Sequence, residues 1–165
     1  MTLIKVLTHD QIVRASELAE EIQIEHFTPI TGRAQIEHML RKFQSPEAIE
    51  AQIRDENYTY YLLTEDGQAF GYIGFHPDGE ESLFLSKFYI RKDMRGQGYG
   101  KETMEFIVDL CKDQGMKSIW LTVNRMNDST IEIYKKMGFF IECAEKRDLG
   151  DGFIADDYFM RKIIE

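Results

Sequence analysis

The chain has 165 residues, a net charge of −9, 43% hydrophobic residues and 30% charged residues. That length suits one domain, residues 1–165, with a real core. The acidic balance argues against nucleic acid as a general partner, because neutralising phosphates needs a basic surface. It is compatible with a cationic substrate through steering, although such a charge also serves plain solubility.

Cys111 and Cys143 make neither a disulfide framework nor a metal set, and the histidines (His9, His26, His38, His76) show no ligand spacing. No metal is expected. Asp10, Glu17, Glu20 and Glu21 interrupt any apolar run near the start, so no signal peptide is expected. No stretch is long and apolar enough to cross a bilayer. The expected setting is cytoplasmic and reducing.

Leu3–Leu7 reads as a short strand, and Thr8-His9-Asp10-Gln11 as a capping box. The helix it opens carries Ile12, Ala15, Leu18, Ala19 and Ile22 on one face, and Pro29 and Gly32 are expected to break it. A second helix is predicted after Thr31, with Ile36, Met39, Leu40 and Phe43 at helical spacing. Ser45-Pro46 signals a third, with Ala48, Ile49 and Ile53 apolar. Three antiparallel strands follow: Tyr58–Thr64, Gln68–Phe75 and Ser82–Ile90. Their turns are predicted at Glu65-Asp66-Gly67 and Pro77-Asp78-Gly79.

A glycine-rich stretch then leads into a helix beginning near Lys101, with Met104, Ile107, Val108 and Cys111 as its stripe and Gly115 as its C-terminal stop. Ser118–Val123 is a further strand, and the intervening helix makes it parallel to Ser82–Ile90 with a right-handed crossover. A loop, a short helix (Ser129–Met137) stopped by Gly138, and a closing hairpin of Phe139–Lys146 with Phe153–Ile164 complete the chain. The class is α/β with a mixed sheet and helices on both faces.

Two clusters carry chemistry. Arg95-Gly96-Gln97-Gly98-Tyr99-Gly100 lies between a strand and a helix, where glycine lets backbone N–H groups approach an anion and the helix N-terminus favours negative charge. It comes too late for a dinucleotide fold and lacks the P-loop pattern. The second cluster runs from Asn124 through Asn127 to Tyr134, Lys136, Gly138 and Phe139.

Together these resemble the GNAT acetyltransferase superfamily. The first stands as its [RQ]-x-x-G-x-[GA] loop and Asn127–Phe139 as its N-x-x-[AST]-x-x-x-Y-x-x-x-G-F segment. The N-terminal half is similar to bacterial polyamine acetyltransferases of the PaiA type. The resemblance implies a mostly antiparallel sheet splayed at two central parallel strands, with acetyl-CoA as cosubstrate. It implies that backbone of Phe88, Tyr89 and Ile90 pairs with the pantetheine arm. Backbone of Gly96, Gln97, Gly98, Tyr99, Gly100 and Lys101 would hold the pyrophosphate. Arg95 would add charge there or only brace the loop. Asn127 would bond the pantetheine or nearby backbone, and Lys136 would reach a nucleotide phosphate or remain a solvated surface lysine.

The implied reaction is direct transfer of an acetyl group to an amine, with Tyr134 protonating the leaving thiolate. Many relatives carry a glutamate near Ser86, but Leu83–Phe88 holds no carboxylate here. Glu80, Glu81, His26 and a water chain are the remaining options for the base. Expected substrate walls are Glu25–Arg33, the first hairpin and the Gly150–Asp157 loop. Asp148, Asp151, Asp156 and Asp157 make that loop acidic, either a wall that suits a small amine or polyamine or a solvated turn. A protein or peptide acetyltransferase and a non-catalytic acyl-CoA sensor are the alternatives, and a homodimer is an open option.

Overall fold

In the computed structural model, which describes residues 1–165, the first strand ends where Thr8 turns the chain. The Thr8 hydroxyl accepts from the Gln11 amide (3.2 Å), and the Gln11 side chain accepts from the Thr8 amide (2.9 Å). This capping box starts α1 (His9–Thr31) directly after β1 (Thr2–Lys5). The stripe expected from the sequence is the one buried: Ile12, Ala15, Leu18, Ala19 and Ile22.

Pro29 does not break α1, contrary to expectation. The helix runs two residues past it, without the bond that Pro29 cannot donate to Glu25 O. The turn beyond it is closed by the Gly32 amide donating to Thr28 O (3.1 Å). Gly32 does end the helix, at φ +85°. It leads into α2 (Arg33–Phe43), and Ser45 caps α3 (Pro46–Asp55) by accepting from the Ala48 amide at 3.2 Å.

Three antiparallel strands follow: β2 (Thr59–Glu65), β3 (Gln68–Asp78) and β4 (Ser82–Ile90). Asp66 and Gly67 both have positive φ, as a tight hairpin turn between β2 and β3 requires. The next turn falls at Gly79–Glu81 rather than at Pro77-Asp78-Gly79, and Pro77 stays within β3. The β2 ladder ends at Thr59 opposite Phe75, so Pro77 lies beyond it and is not asked for an amide on that side.

After the glycine-rich stretch come α4 (Tyr99–Asp113), β5 (Ser118–Asn124), α5 (Asp128–Lys136), β6 (Phe140–Gly150) and β7 (Phe153–Ile163). The seven strands form one mixed sheet in the order β1-β2-β3-β4-β5-β7-β6, flanked by helices. Its parallel pair is β4 with β5, where Ser82, Leu83 and Phe84 face Ser118, Ile119 and Trp120. By contacts the chain forms two compact units, Met1–His76 with Ser86–Gly100, and Pro77–Leu85 with Lys101–Glu165.

The first unit is built on a cluster of Val6, Leu18, Ile22, Ile49, Tyr60, Leu62, Tyr72 and their neighbours. A buried polar chain crosses it. Gln23 donates to the Tyr72 hydroxyl (3.0 Å), Tyr72 to Gln44 (2.7 Å), Gln44 to Tyr60 (3.1 Å) and Tyr60 to Gln52 (2.5 Å). The chain ends at Phe43 O, which receives the Gln52 amide group at 2.8 Å. It ties α1, α2 and α3 to β2 and β3 through side chains whose amide orientations are fixed by one consistent donor direction. Burial pushes both phenols upward, well above the ordinary value for Tyr72, so both stay protonated as this pattern demands.

In the second unit, Phe84, Trp120 and Phe159 stack at 4.1 Å and 5.6 Å across three strands. Arg161 fastens the start of the parallel pair, donating to Ser118 Oγ (2.8 Å), Ser82 Oγ (3.3 Å) and Glu142 (2.6 Å). α4 buries Thr103, Met104, Ile107 and Cys111, whose thiol burial pushes up to about 11. Gly115, at φ +70°, is the expected stop, with the Met116 amide donating back to Cys111 O at 2.9 Å.

Replacing Tyr72 by Phe removes the acceptor of Gln23 Nε2 and the donor to Gln44 Oε1, both buried. Urea denaturation should show a loss of about 1–3 kcal/mol, as expected when buried polar groups lose a hydrogen-bond partner.

Candidate active site

In the first unit the site is made by the turn out of β4. The Arg91 amide still bonds Phe70 O (2.8 Å), and a 3-10 turn over Lys92–Met94 then redirects the chain. Gly96 and Gly98 both lie in the left-handed region, at φ +75° and +87°, and a Cβ on either would meet only open space. Their role is therefore backbone conformation, the left-handed geometry of a short loop at the start of α4. Tyr99 anchors that start, with its ring 4.9 Å from Phe70. Gly96, Gln97, Gly98 and Lys101 are exposed, and Gly100 is half-buried in the first turn of α4.

Arg95 makes a contact that braces the loop. Its Nε donates to Ile90 O at 2.9 Å, tying the loop back to the end of β4. Arg91 is held by Asp93 at 2.6 Å, and Gln97 donates to Asp93 O at 3.3 Å. Phe88, Tyr89 and Ile90 are half-buried along β4. Gly71 lets the chains close here, since a Cβ on it would lie 2.5 Å from Tyr89 O.

In the second unit, Asn127 is 3% exposed and caps α5 through its backbone, its carbonyl accepting from the Ile131 amide at 3.0 Å. Asn124 orders the preceding loop by accepting from the Met126 amide at 2.8 Å. Tyr134 is half-buried near the end of α5, with its ring 5.4 Å from Phe139. Its carbonyl accepts from the Met137 and Phe139 amides, which fixes the helix end behind it. Gly138 is required: at φ +97°, a Cβ would sit 2.8 Å from Lys162 Nζ, which donates to Met137 O. Lys136 is exposed on α5.

The acidic Gly150–Asp157 wall is a different object from the one expected. Asp157 is buried and ion-paired to Arg147 at 2.6 Å, and Asp156 lies 3.6 Å from Arg125. Asp148 accepts from the Gly150 amide, and Asp151 occupies a left-handed turn position. Two of those four carboxylates are thus ion-paired, to Arg147 on β6 and to Arg125 in the loop after β5. Glu81 is exposed and paired with Lys117 at 3.0 Å. His26 is half-buried, edge-on to Phe27 at 4.8 Å.

A second set of four carboxylates lies on α1, only Glu25 of which falls in an expected wall. Glu17, Glu20, Glu21 and Glu25 on α1, with Ile24, line a shallow groove of about 360 Å³. Arg14 lies 3.4 Å from Glu17, and Lys92 lies 3.9 Å from Glu25. The helical spacing of these glutamates was legible in the sequence. Tyr58 was missed; its hydroxyl donates to Ser86 Oγ at 2.9 Å.

The loop after β4 and the capped segment of α5 are the marks of an acetyltransferase. The acetyltransferase (GNAT) family matches residues 19–139, and the chain belongs to it. Among solved structures, the chain is similar to the PaiA N-acetyltransferase of Thermoplasma acidophilum in complex with coenzyme A. That match has 20% identity over 99% of both chains and a TM-score of 0.79. It is 28% identical to the [ribosomal protein bS18]-alanine N-acetyltransferase of Escherichia coli strain K12, over 68% of this chain and 75% of that one. It is 24% identical to the probable N-acetyltransferase camello of Xenopus laevis over 51% of this chain, a match that spans only 39% of the Xenopus protein.

Replacing Arg147 by Met removes the partner of the buried Asp157 carboxylate. Because Arg147 is partly solvated, the loss should be modest, about 1 kcal/mol by urea denaturation.

Proposed function

We propose that the protein is an acetyl-CoA-dependent N-acetyltransferase that acetylates a primary amine, with Tyr134 as the general acid. The observation that carries this reading is the loop from Arg95 to Gly100, braced at Ile90 O, with two left-handed glycines and open space beside them. Outward amides at the start of a helix suit a pyrophosphate. Lys101 adds positive charge at the same helix end. Backbone of Phe88, Tyr89 and Ile90 offers the pantetheine arm a strand to pair with, because the β5 ladder uses β4 only as far as Phe84. The related PaiA structure holds coenzyme A, which supports the same donor here. Asn127 and Lys136 are the residues of the second unit proposed to assist in holding it.

Acetyl-CoA supplies an activated thioester. The neutral amine attacks its carbonyl, and the departing sulfur needs a proton. Tyr134 is a phenol near the end of α5, held against Phe139 and backed by a fixed helix terminus. A positioned acid of this type contributes about 10²–10⁴-fold.

The proposed acceptor is a small cationic amine or polyamine. The glutamate groove on α1 and the net charge of −9 would draw such a molecule by charge complementarity. A second reading is a peptide α-amine, favoured by the 28% identity to the bS18-alanine enzyme. Turnover of spermidine and spermine, with none on alanine-initiated peptides, is the expected result of an acetyl-CoA assay. The reverse pattern selects the second reading. Tyr134→Phe should lower kcat by about 10²–10⁴-fold while leaving the KM for acetyl-CoA nearly unchanged. Steady-state kinetics with acetyl-CoA varied against saturating amine checks this.

A further inference from the structure

β4 carries no carboxylate, yet it holds one polar side chain that is positioned with unusual care. Ser86 receives a hydrogen bond from the Tyr58 hydroxyl at 2.9 Å. Tyr58 stands just before β2, on the far side of β3 in the strand order, so its ring has to cross a strand to reach Ser86. Gly74 of β3 lies beside this crossing. It has no side chain, and a Cβ there would lie 2.9 Å from the Tyr60 ring, the neighbour on which Tyr58 stacks at 5.8 Å. His76 flanks the Tyr58 ring at 4.7 Å. The phenol is thus held between Tyr60 and His76 and aimed at one hydroxyl. Burial raises its pKa, which keeps it a donor, and Glu56 acts in the same direction.

The position of Ser86 along β4 matters as much as its partner. The β5 ladder ends at Phe84, and the glycine loop begins after Ile90. An extended arm bound along β4 from the loop therefore has only Leu85–Ile90 to pair with, about 20 Å of strand at ~3.3 Å per residue. Ser86 is the polar side chain nearest the far end of that stretch, one residue from Leu85. Tyr58 spends its proton on one lone pair of Ser86 Oγ, which leaves the other lone pair to accept an N–H.

We propose that Ser86, oriented by Tyr58, binds the acceptor amine beside the thioester carbonyl. This rests on the acetyl-CoA reading given above. The neutral amine donates one N–H to Ser86 Oγ and directs its lone pair at the carbonyl carbon. The C–N bond forms, the C–S bond breaks, and the sulfur takes a proton from the general acid, which water reprotonates. The surplus proton on nitrogen leaves to bulk water. Ser86 is then a contact to substrate, and Tyr58 is a positioning residue that acts through it.

The test compares wild type with Ser86→Ala, Ser86→Thr, Tyr58→Phe and the Tyr58→Phe/Ser86→Ala double variant, using spermidine and an alanine-initiated peptide as probes. Thermal stabilisation by acetyl-CoA is measured in parallel. Ser86→Ala should raise the amine KM or lower kcat/KM for the amine at least tenfold, with the KM for acetyl-CoA unchanged. Ser86→Thr, which keeps the hydroxyl, should recover most of that loss. Tyr58→Phe should act in the same direction, and the double variant should be no worse than Ser86→Ala. The proposal is overturned if Ser86→Ala keeps the wild-type kcat/KM for the amine, if Thr fails to rescue while the fold is intact, or if the two losses simply add. It is also overturned if acetyl-CoA stabilises the wild type but neither probe is turned over. Absence of stabilisation by acetyl-CoA marks the failure of the donor reading instead.

Discussion

The rest of the structure depends on one short constraint, the turn from β4 into α4. Two residues in that turn have positive φ, and both are glycine. An L side chain at either would strain the loop, although nothing sterically crowds it. The brace from Arg95 to Ile90 O and the contact of Tyr99 with Phe70 hold the same turn from its two ends. The sequence thus concentrates its conformational demands in the turn that leads from β4 into α4. The neighbouring strand and helix are ordinary.

Around that turn, the two units are stabilised in different ways. The first relies on a buried alternation of glutamines and tyrosines, in which every donor has an acceptor further along the chain. Such a network fixes three helices to two strands with more specificity than apolar contact alone would give, but it tolerates no missing partner. The second relies on aromatic stacking across strands and on Arg161, which gathers Ser82, Ser118 and Glu142. The same Ser82–Phe84 pairing that Arg161 fastens leaves the remainder of β4 outside the parallel ladder. That remainder carries the features on which the functional reading rests.

Much of this was legible in the sequence because it depends on local chemistry. Thr8 and Gln11, Ser45 and Pro46, Asp66 and Gly67, and Gly115 each act within a few residues of themselves, and each stands as its residue type suggested. The parallel pairing of β4 and β5 followed from the helix between them. What failed was set by context. Pro29 has the residue type of a breaker, but α1 runs through it and ends only at Gly32. Pro77 was read as a turn, yet it lies past the end of the β2 ladder. The acidity of the Gly150–Asp157 loop was counted without Arg147 and Arg125, which only the fold brings to it. The Tyr58–Ser86 bond joins residues 28 apart across an intervening strand, and no periodicity reports such a contact.

The central claim is that the glycine turn is a pyrophosphate cradle. Calorimetric titration of the purified protein with acetyl-CoA, for wild type and for Gly98→Ala, tests it most directly. The account predicts saturable one-site binding to wild type and at least a tenfold weaker Kd in the variant, with the circular dichroism of the two unchanged. Equal affinity in a folded Gly98→Ala protein, or no binding of acetyl-CoA to the wild type, would contradict it.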